Sequence, residues 1–153
     1  MIILLRLADR VRRIVWRIFG PRTIGVRGLV VDGDGRVLLV RHSYGPPEWH
    51  LPGGGVKRRE SLVAALGREL GQECGVTITG PVRLLGTYSN LRDGKSDHIS
   101  VFVVEHWSQQ AADDAEIAGA GFFAPDALPD GASAGTRRRL ADRAAGDVSD
   151  FSW

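Results

Sequence analysis

The feature that most constrains this chain is a glycine turn running straight into a segment whose acids fall at helical spacing. Gly53, Gly54 and Gly55 are consecutive, and Glu69, Gln72 and Glu73 follow at i, i+3 and i+4. In a helix those three side chains share one face. A glycine-rich turn feeding clustered carboxylates suits a divalent cation and the phosphates it holds. The expected helix runs from about Arg59 to Cys74, with Gly75 placed to end it in a left-handed conformation.

Residues 54–76 resemble the Nudix box, G-x5-E-x7-R-E-U-x-E-E-x-G-U, where U is bulky and aliphatic. Gly54, Glu60, Arg68, Glu69, Leu70, Glu73, Gly75 and Val76 fit eight of its nine defined positions. Gln72 stands where the pattern has the first Glu of its pair. The resemblance covers roughly residues 24–145. It implies an α/β fold of the Nudix type, an α/β/α sandwich around a mixed sheet.

It also implies an enzyme, a pyrophosphohydrolase that uses Mg²⁺ (or Mn²⁺) to break a phosphoanhydride bond. The substrate would be a nucleoside diphosphate linked to another moiety, or a nucleoside triphosphate. Glu69, Glu73 and the carbonyl of Gly53 would hold the cation. Gln72 could add an amide oxygen, but it brings no charge. Glu69 is alternatively the base that activates water. Arg68 would orient the carboxylates with Glu60 as its partner, against the alternative of an ordinary surface ion pair. Gly54, Glu60 and Gly75 would shape the box. A further acid is expected from a late loop, where Asp113, Asp114 and Glu116 lie. Glu116 is the first choice for the base, a solvated acidic loop is the alternative, and Glu105 is a second candidate.

Substrate contacts are expected from Arg41, at a strand end, and from Tyr44 or Trp49 stacking on a base. The alternative for Trp49, and the one the sequence favours, is core packing ahead of Leu51-Pro52. His42, His50 and His98 lack metal-ligand spacing and read as surface or internally satisfied histidines.

The 153 residues are expected to form one hydrolase domain over residues 21–153, preceded by a basic amphipathic helix over residues 1–20. Apolar Leu4, Leu7, Val11, Ile14, Val15 and Ile18 recur at steps of one, three and four, with Arg6, Arg10, Arg13 and Arg17 opposite. This segment is far shorter in unbroken apolar length than the ~20 residues needed to span a bilayer. It reads as packing on the domain or on a second copy in a homodimer, as a peripheral contact with anionic lipid, or as a misassigned start. Residues 1–27 hold seven Arg and one Asp, a charge of +6 against +2 for the whole chain, so the remainder carries −4. The basic character is therefore local, and no specific nucleic-acid surface is expected. One cysteine, Cys74, excludes an internal disulfide and fits a reducing, cytoplasmic setting; it reads as a packed thiol.

Residues 24–31 and 36–41 read as strands joined by a hairpin turn at Asp32-Gly33-Asp34-Gly35. Residues 82–90 and 97–107 read as a second hairpin. Residues 42–53 and 108–119 read as loops, Gly121-Phe122-Phe123 as a short strand, and residues 134–145 as a closing helix. The tail should lay Phe151 and Trp153 on the domain. The rival to a hydrolase is a weakly active or inactive nucleotide-binding module, because Gln72 removes a carboxylate from the box.

Overall fold

The computed structural model describes residues 22–91, 96–112, 114–148 and 150–153. The expected N-terminal helix over residues 1–20 and the candidate Asp113 lie outside the described residues. The strands are β1 (Arg22–Val30), β2 (Val37–His42), β3 (Trp49–His50), β4 (Val76–Ile78), β5 (Val82–Asn90), β6 (Ser96–Val104), β7 (Trp107–Gln109) and β8 (Ile117–Phe123). The helices are α1 (Leu62–Cys74) and α2 (Ala134–Ala145).

β1 runs parallel to β6, which pairs antiparallel with β5, so this sheet is mixed. A second sheet has the order β3-β2-β8, and β4 pairs with β7. The period-two alternation of β1 sends its side chains into two cores. Val26 and Val30 join Leu66, Leu70 and Cys74 of α1. Leu29 and Val31 join Leu140 of α2, together with Leu51 and Tyr88. Helices thus cover both faces, giving the α/β/α sandwich.

The turn after β1 forms as expected. The Asp32 carboxylate accepts from the backbone N–H groups of Asp34 (3.0 Å) and Arg36 (2.8 Å). The hairpin does not extend past it, for β1 and β2 are not neighbours in a sheet and the bridge Val31 with Val37 lies just past the end of β1. The edge of β1 that a hairpin partner would need is taken by the glycine turn. Val26 N–H donates to Gly54 O (2.9 Å), Gly28 N–H to Pro52 O (2.8 Å), and Val56 N–H to Ile24 O (2.9 Å). Backbone groups satisfied there cannot also pair with β2.

The box helix starts three residues later than expected. Arg59 has φ 62°, outside the helical region, and Ser61 caps the helix by accepting from Ala64 N–H at 3.2 Å. Gly75 ends it at φ 66°, as its position implied. The segment 42–53, read as a loop, contains β3; β7 straddles the end of the expected strand 97–107 and the start of the expected loop 108–119, and β8 begins within that loop at Ile117. Trp49–His50 pairs with β2, and Trp107–Gln109 pairs with β4. Both are too short for periodicity to reveal, and tertiary contacts define them. Trp107 stacks on Phe122 at 5.3 Å and its Nε1 donates to Val31 O at 2.8 Å.

Helix α2 spans the expected residues. Its Arg139, 1% exposed, stacks 3.6 Å above Tyr88 and pairs with Asp142 at 2.9 Å. The tail is tied to β5 by Ser89 N–H to Phe151 O (2.7 Å) and Trp153 N–H to Ser89 O (3.0 Å). Trp153 packs near Tyr88, whereas Phe151 stays 56% exposed.

Candidate active site

The site is built where the glycine turn meets α1. Gly53 has φ 138°, and a Cβ there would overlap the carbonyl of Val26, so only glycine fits. Its N–H donates to Glu73 Oε2 at 2.7 Å, and its carbonyl accepts from Arg27 Nη1 at 2.5 Å. One residue therefore links an acid and a base from two different elements, through the two peptides that flank its Cα. A Cβ on Gly54 would come 2.6 Å from Glu69 Oε1, so the Glu69 carboxylate lies directly on the turn.

Arg68 organises the acids. Its Nε and Nη2 donate to Glu60 Oε1 and Oε2 at 2.7 and 2.9 Å, a two-pronged pair. Nη1 donates to Glu69 Oε1 at 2.5 Å and approaches Gln72 Oε1 at 3.4 Å, while Nη2 also reaches Gly55 O at 3.0 Å. Glu60 further accepts from Lys57 N–H at 2.9 Å. The Arg68 hydrogen bonds, aided by that N–H, hold the Glu60 carboxyl down at about 2.

Glu73 is 8% exposed. Burial pushes its carboxyl up to about 7; the Gly53 N–H and Arg27 oppose the shift, and Glu69 and Asp114 add to it. Its Oε1 lies 3.7 Å from His42 Nε2. His42 is mostly buried, and its Nδ1 has no hydrogen-bond partner among the described residues. Its ring stands 5.2 Å from that of Tyr44. The Tyr44 hydroxyl is 3.5 Å from Glu116 Oε2. Glu116 is exposed at the rim, and its N–H donates to Asp114 Oδ1 at 2.9 Å. A cleft of about 320 Å³ beside this cluster is lined by Glu73, Cys74, Gln109, Asp114, Gly119 and Ala120. Cys74 is buried, and burial pushes its thiol up to about 12, a packed and unreactive sulfur.

The fold thus brings together Gly53, Gly54, Glu60, Arg68, Glu69, Gln72 and Glu73, with Tyr44 and Glu116 at the rim. Arg41 and Trp49 lie with each other instead. The guanidinium sits 5.3 Å from the Trp49 ring, which packs edge-on against Phe123 in the second core. Neither makes a hydrogen bond or ion pair to the carboxylates among the described residues. Glu105 faces Arg143 of α2 at 3.7 Å. Two residues of the site escape sequence reasoning. Arg27 had a signal, being a lone charge within the apolar run Ile24–Val31. His42, expected to be a surface or internally satisfied histidine, had none, because its approach to Glu73 is a tertiary event.

The oxygens of Glu69, Glu73, Gln72 and Gly53 are hard donors of the kind Mg²⁺ or Mn²⁺ takes. The buried Glu73 carboxyl, raised to about 7, lacks a full counter-charge, which a divalent cation would supply. Among the described residues no three His, Cys, Asp or Glu side chains already converge as a cage. Mg²⁺ needs none, since it keeps several waters and takes one or two carboxylates. The donor set therefore fits such an ion.

A model of the NUDIX domain matches residues 21–143. An RNA pyrophosphohydrolase of Teredinibacter turnerae is 46% identical over 48 residues, covering 31% of this chain and 28% of that protein. A MutT-like protein of Streptomyces ambofaciens is 33% identical over 72 residues, covering 47% of this chain and 46% of that one. The chain thus spans less than half the length of the curated relatives it matches. Among solved structures, a MutT Nudix hydrolase from Burkholderia pseudomallei superposes with a TM-score of 0.70 at 26% identity, covering 80% of this chain and 98% of that one. A MutT protein from Methanosarcina mazei Go1 gives 0.70 at 24% identity, covering 82% and 96%, a likeness of fold. With the box geometry in place and the domain model spanning most of its length, this chain belongs to the Nudix family.

Proposed function

We propose that this chain is a metal-dependent hydrolase of a phosphoanhydride bond. Its substrate is a nucleoside diphosphate linked to another moiety, or a nucleoside triphosphate. The observation that carries the reading is the anchoring of three acids, two of them by one arginine. Arg68 fixes Glu69 while holding Glu60 with two prongs, and the Gly53 N–H fixes the buried Glu73. Acids held this way are oriented in advance for the ligand they meet. The short stretch of high identity to an RNA pyrophosphohydrolase supports the same chemistry.

Glu69 and Glu73, with the Gln72 amide oxygen and the Gly53 carbonyl, would hold Mg²⁺ or Mn²⁺. When bound, that ion neutralises phosphate oxygens and acidifies a water. Arg68 keeps the Glu69 carboxylate aimed at the turn. Glu116, exposed at the rim beside Tyr44, takes the proton as water oxygen bonds to phosphorus. The anhydride bond breaks, leaving a nucleoside monophosphate and either a phosphorylated moiety or pyrophosphate. Glu69 is the alternative proton acceptor.

One observation favours a second reading, a nucleotide-binding module with little turnover. Gln72 brings no charge to the box and is only 3.4 Å from Arg68 Nη1. Product release from a panel of nucleoside triphosphates, ADP-ribose, nucleotide sugars and dinucleoside polyphosphates decides between them, with Mg²⁺ or Mn²⁺ and Glu73→Gln as control. Turnover lost in the control supports the hydrolase. Nucleotide binding without turnover above the control supports the module.

A further inference from the structure

We propose that Arg27 binds the diphosphate of the substrate directly, as a fixed cation of the site that acts without a divalent ion. This rests on the diphosphate reading just given. Arg27 stands in the middle of β1, half-buried between the buried residues Val26 and Gly28 in sequence and on the opposite face from them, where a charge is costly unless it is used or paired. Burial lowers the pKa of its guanidinium, against the raising fields of Glu73 and Glu69, and an arginine stays protonated through such a shift.

Its anchoring is one-sided. Nη1 donates to two backbone carbonyls, Gly53 at 2.5 Å and Leu51 at 3.2 Å. Among the described residues neither Nε nor Nη2 has a protein acceptor, and no carboxylate comes within ion-pair distance. An arginine serving only to balance Glu73 and Glu69 would pair with one of them. Arg27 is instead held by carbonyls through one nitrogen, leaving the Nε and Nη2 donors for a ligand. That planar pair matches two oxygens of a phosphate.

The position is also tied to the chemistry. Gly53 anchors Arg27 through its carbonyl and Glu73 through its N–H, on the two peptides that flank its Cα. A phosphate on Arg27 is therefore positioned against the same residue, Gly53, as the acid that would hold the cation. Gln72 makes the extra positive charge useful. The box has one carboxylate fewer than its pattern, and Arg27 would supply fixed positive charge beside it.

The test is calorimetric binding of methylenediphosphonate, a non-hydrolysable diphosphate, to the full chain in EDTA and again in Mg²⁺. Wild type should bind in EDTA. Arg27→Met should weaken that binding by about tenfold or more, the loss expected for a charge-assisted pair. Arg27→Lys, which keeps the charge without the fork, should fall between them. Should Arg27→Met fail to fold by circular dichroism, Arg27→Lys carries the test, and wild-type binding by it would overturn the proposal. Wild-type binding by a folded Arg27→Met, or no binding of wild type in EDTA, would also overturn it. If Mg²⁺-dependent binding sensitive to Glu73→Gln persists in that last case, Arg27 alone is misassigned. Absence of binding in both conditions would sink the diphosphate reading itself.

Discussion

Gly53 and Glu73, twenty residues apart, are joined by one hydrogen bond of 2.7 Å that fastens the glycine turn to the last turn of the box helix. The bond requires the Gly53 peptide to face α1, and φ 138° is how the chain achieves it. Gly53→Ala should therefore destabilise the fold by roughly 2–5 kcal/mol, from backbone strain plus the overlap with the Val26 carbonyl. Urea unfolding checks the stability, and turnover should fall with it.

Arg68→Lys keeps the charge but loses the fork that holds Glu60 and Glu69 together. The expected result is a loss of about 10–100-fold in kcat/KM, the usual cost of removing a group that orients ligands. Steady-state kinetics with Mg²⁺ check it. A loss confined to KM would show that Arg68 acts on binding alone.

The Glu60–Arg68 pair should show in acid. The Glu60 carboxyl is lowered from its ordinary value of 4.5 to about 2 in the fold. Its contribution is thus fully present above pH 4.5 and is lost as pH falls through about 2. The stability difference between wild type and Glu60→Gln should be constant from pH 7 to about 5 and shrink steadily below that. Denaturant titrations across this range measure it.

Gln72→Glu adds a carboxylate one turn from Arg68 and beside Glu69 and Glu73. Mn²⁺ should bind about tenfold tighter, which at saturating metal adds about 1.4 kcal/mol of metal-dependent stability. Thermal melts with and without Mn²⁺ read this directly. An unchanged shift would mean that residue 72 does not face the ion.

Arg139→Ala should cost about 3–5 kcal/mol, because it leaves Asp142 without its partner under α2 and removes the cation stacked on Tyr88. Unfolding of the variant measures the loss. Turnover per folded molecule should hold, since this cluster lies in the second core, away from α1.

The box was legible because its chemistry is local. Glu69 and Glu73 share a face by helical period alone, and Gly75 ends the helix by its backbone conformation. Helix α2 was legible for the same reason. The strands β3 and β7 were not, since two or three residues carry no period. Arg41 was read toward the substrate, and Trp49 toward the substrate as well as toward the core; the sheet places them against each other, with Trp49 edge-on to Phe123.

The sequence by itself determined the glycine turn, the acid-bearing helix after it, the family, and the kind of atom presented at the site. Tertiary structure decided what those atoms meet. It took the edge of β1 for the glycine turn, so that the expected hairpin partner had no free backbone to pair with. It buried Glu73 and brought His42 to it, and it put Arg27 on the Gly53 carbonyl. The division has a physical cause. Helix period and turn conformation depend on neighbours along the chain, whereas the burial of Glu73 and the partners of Gly53 depend on residues brought from 20 or more positions away.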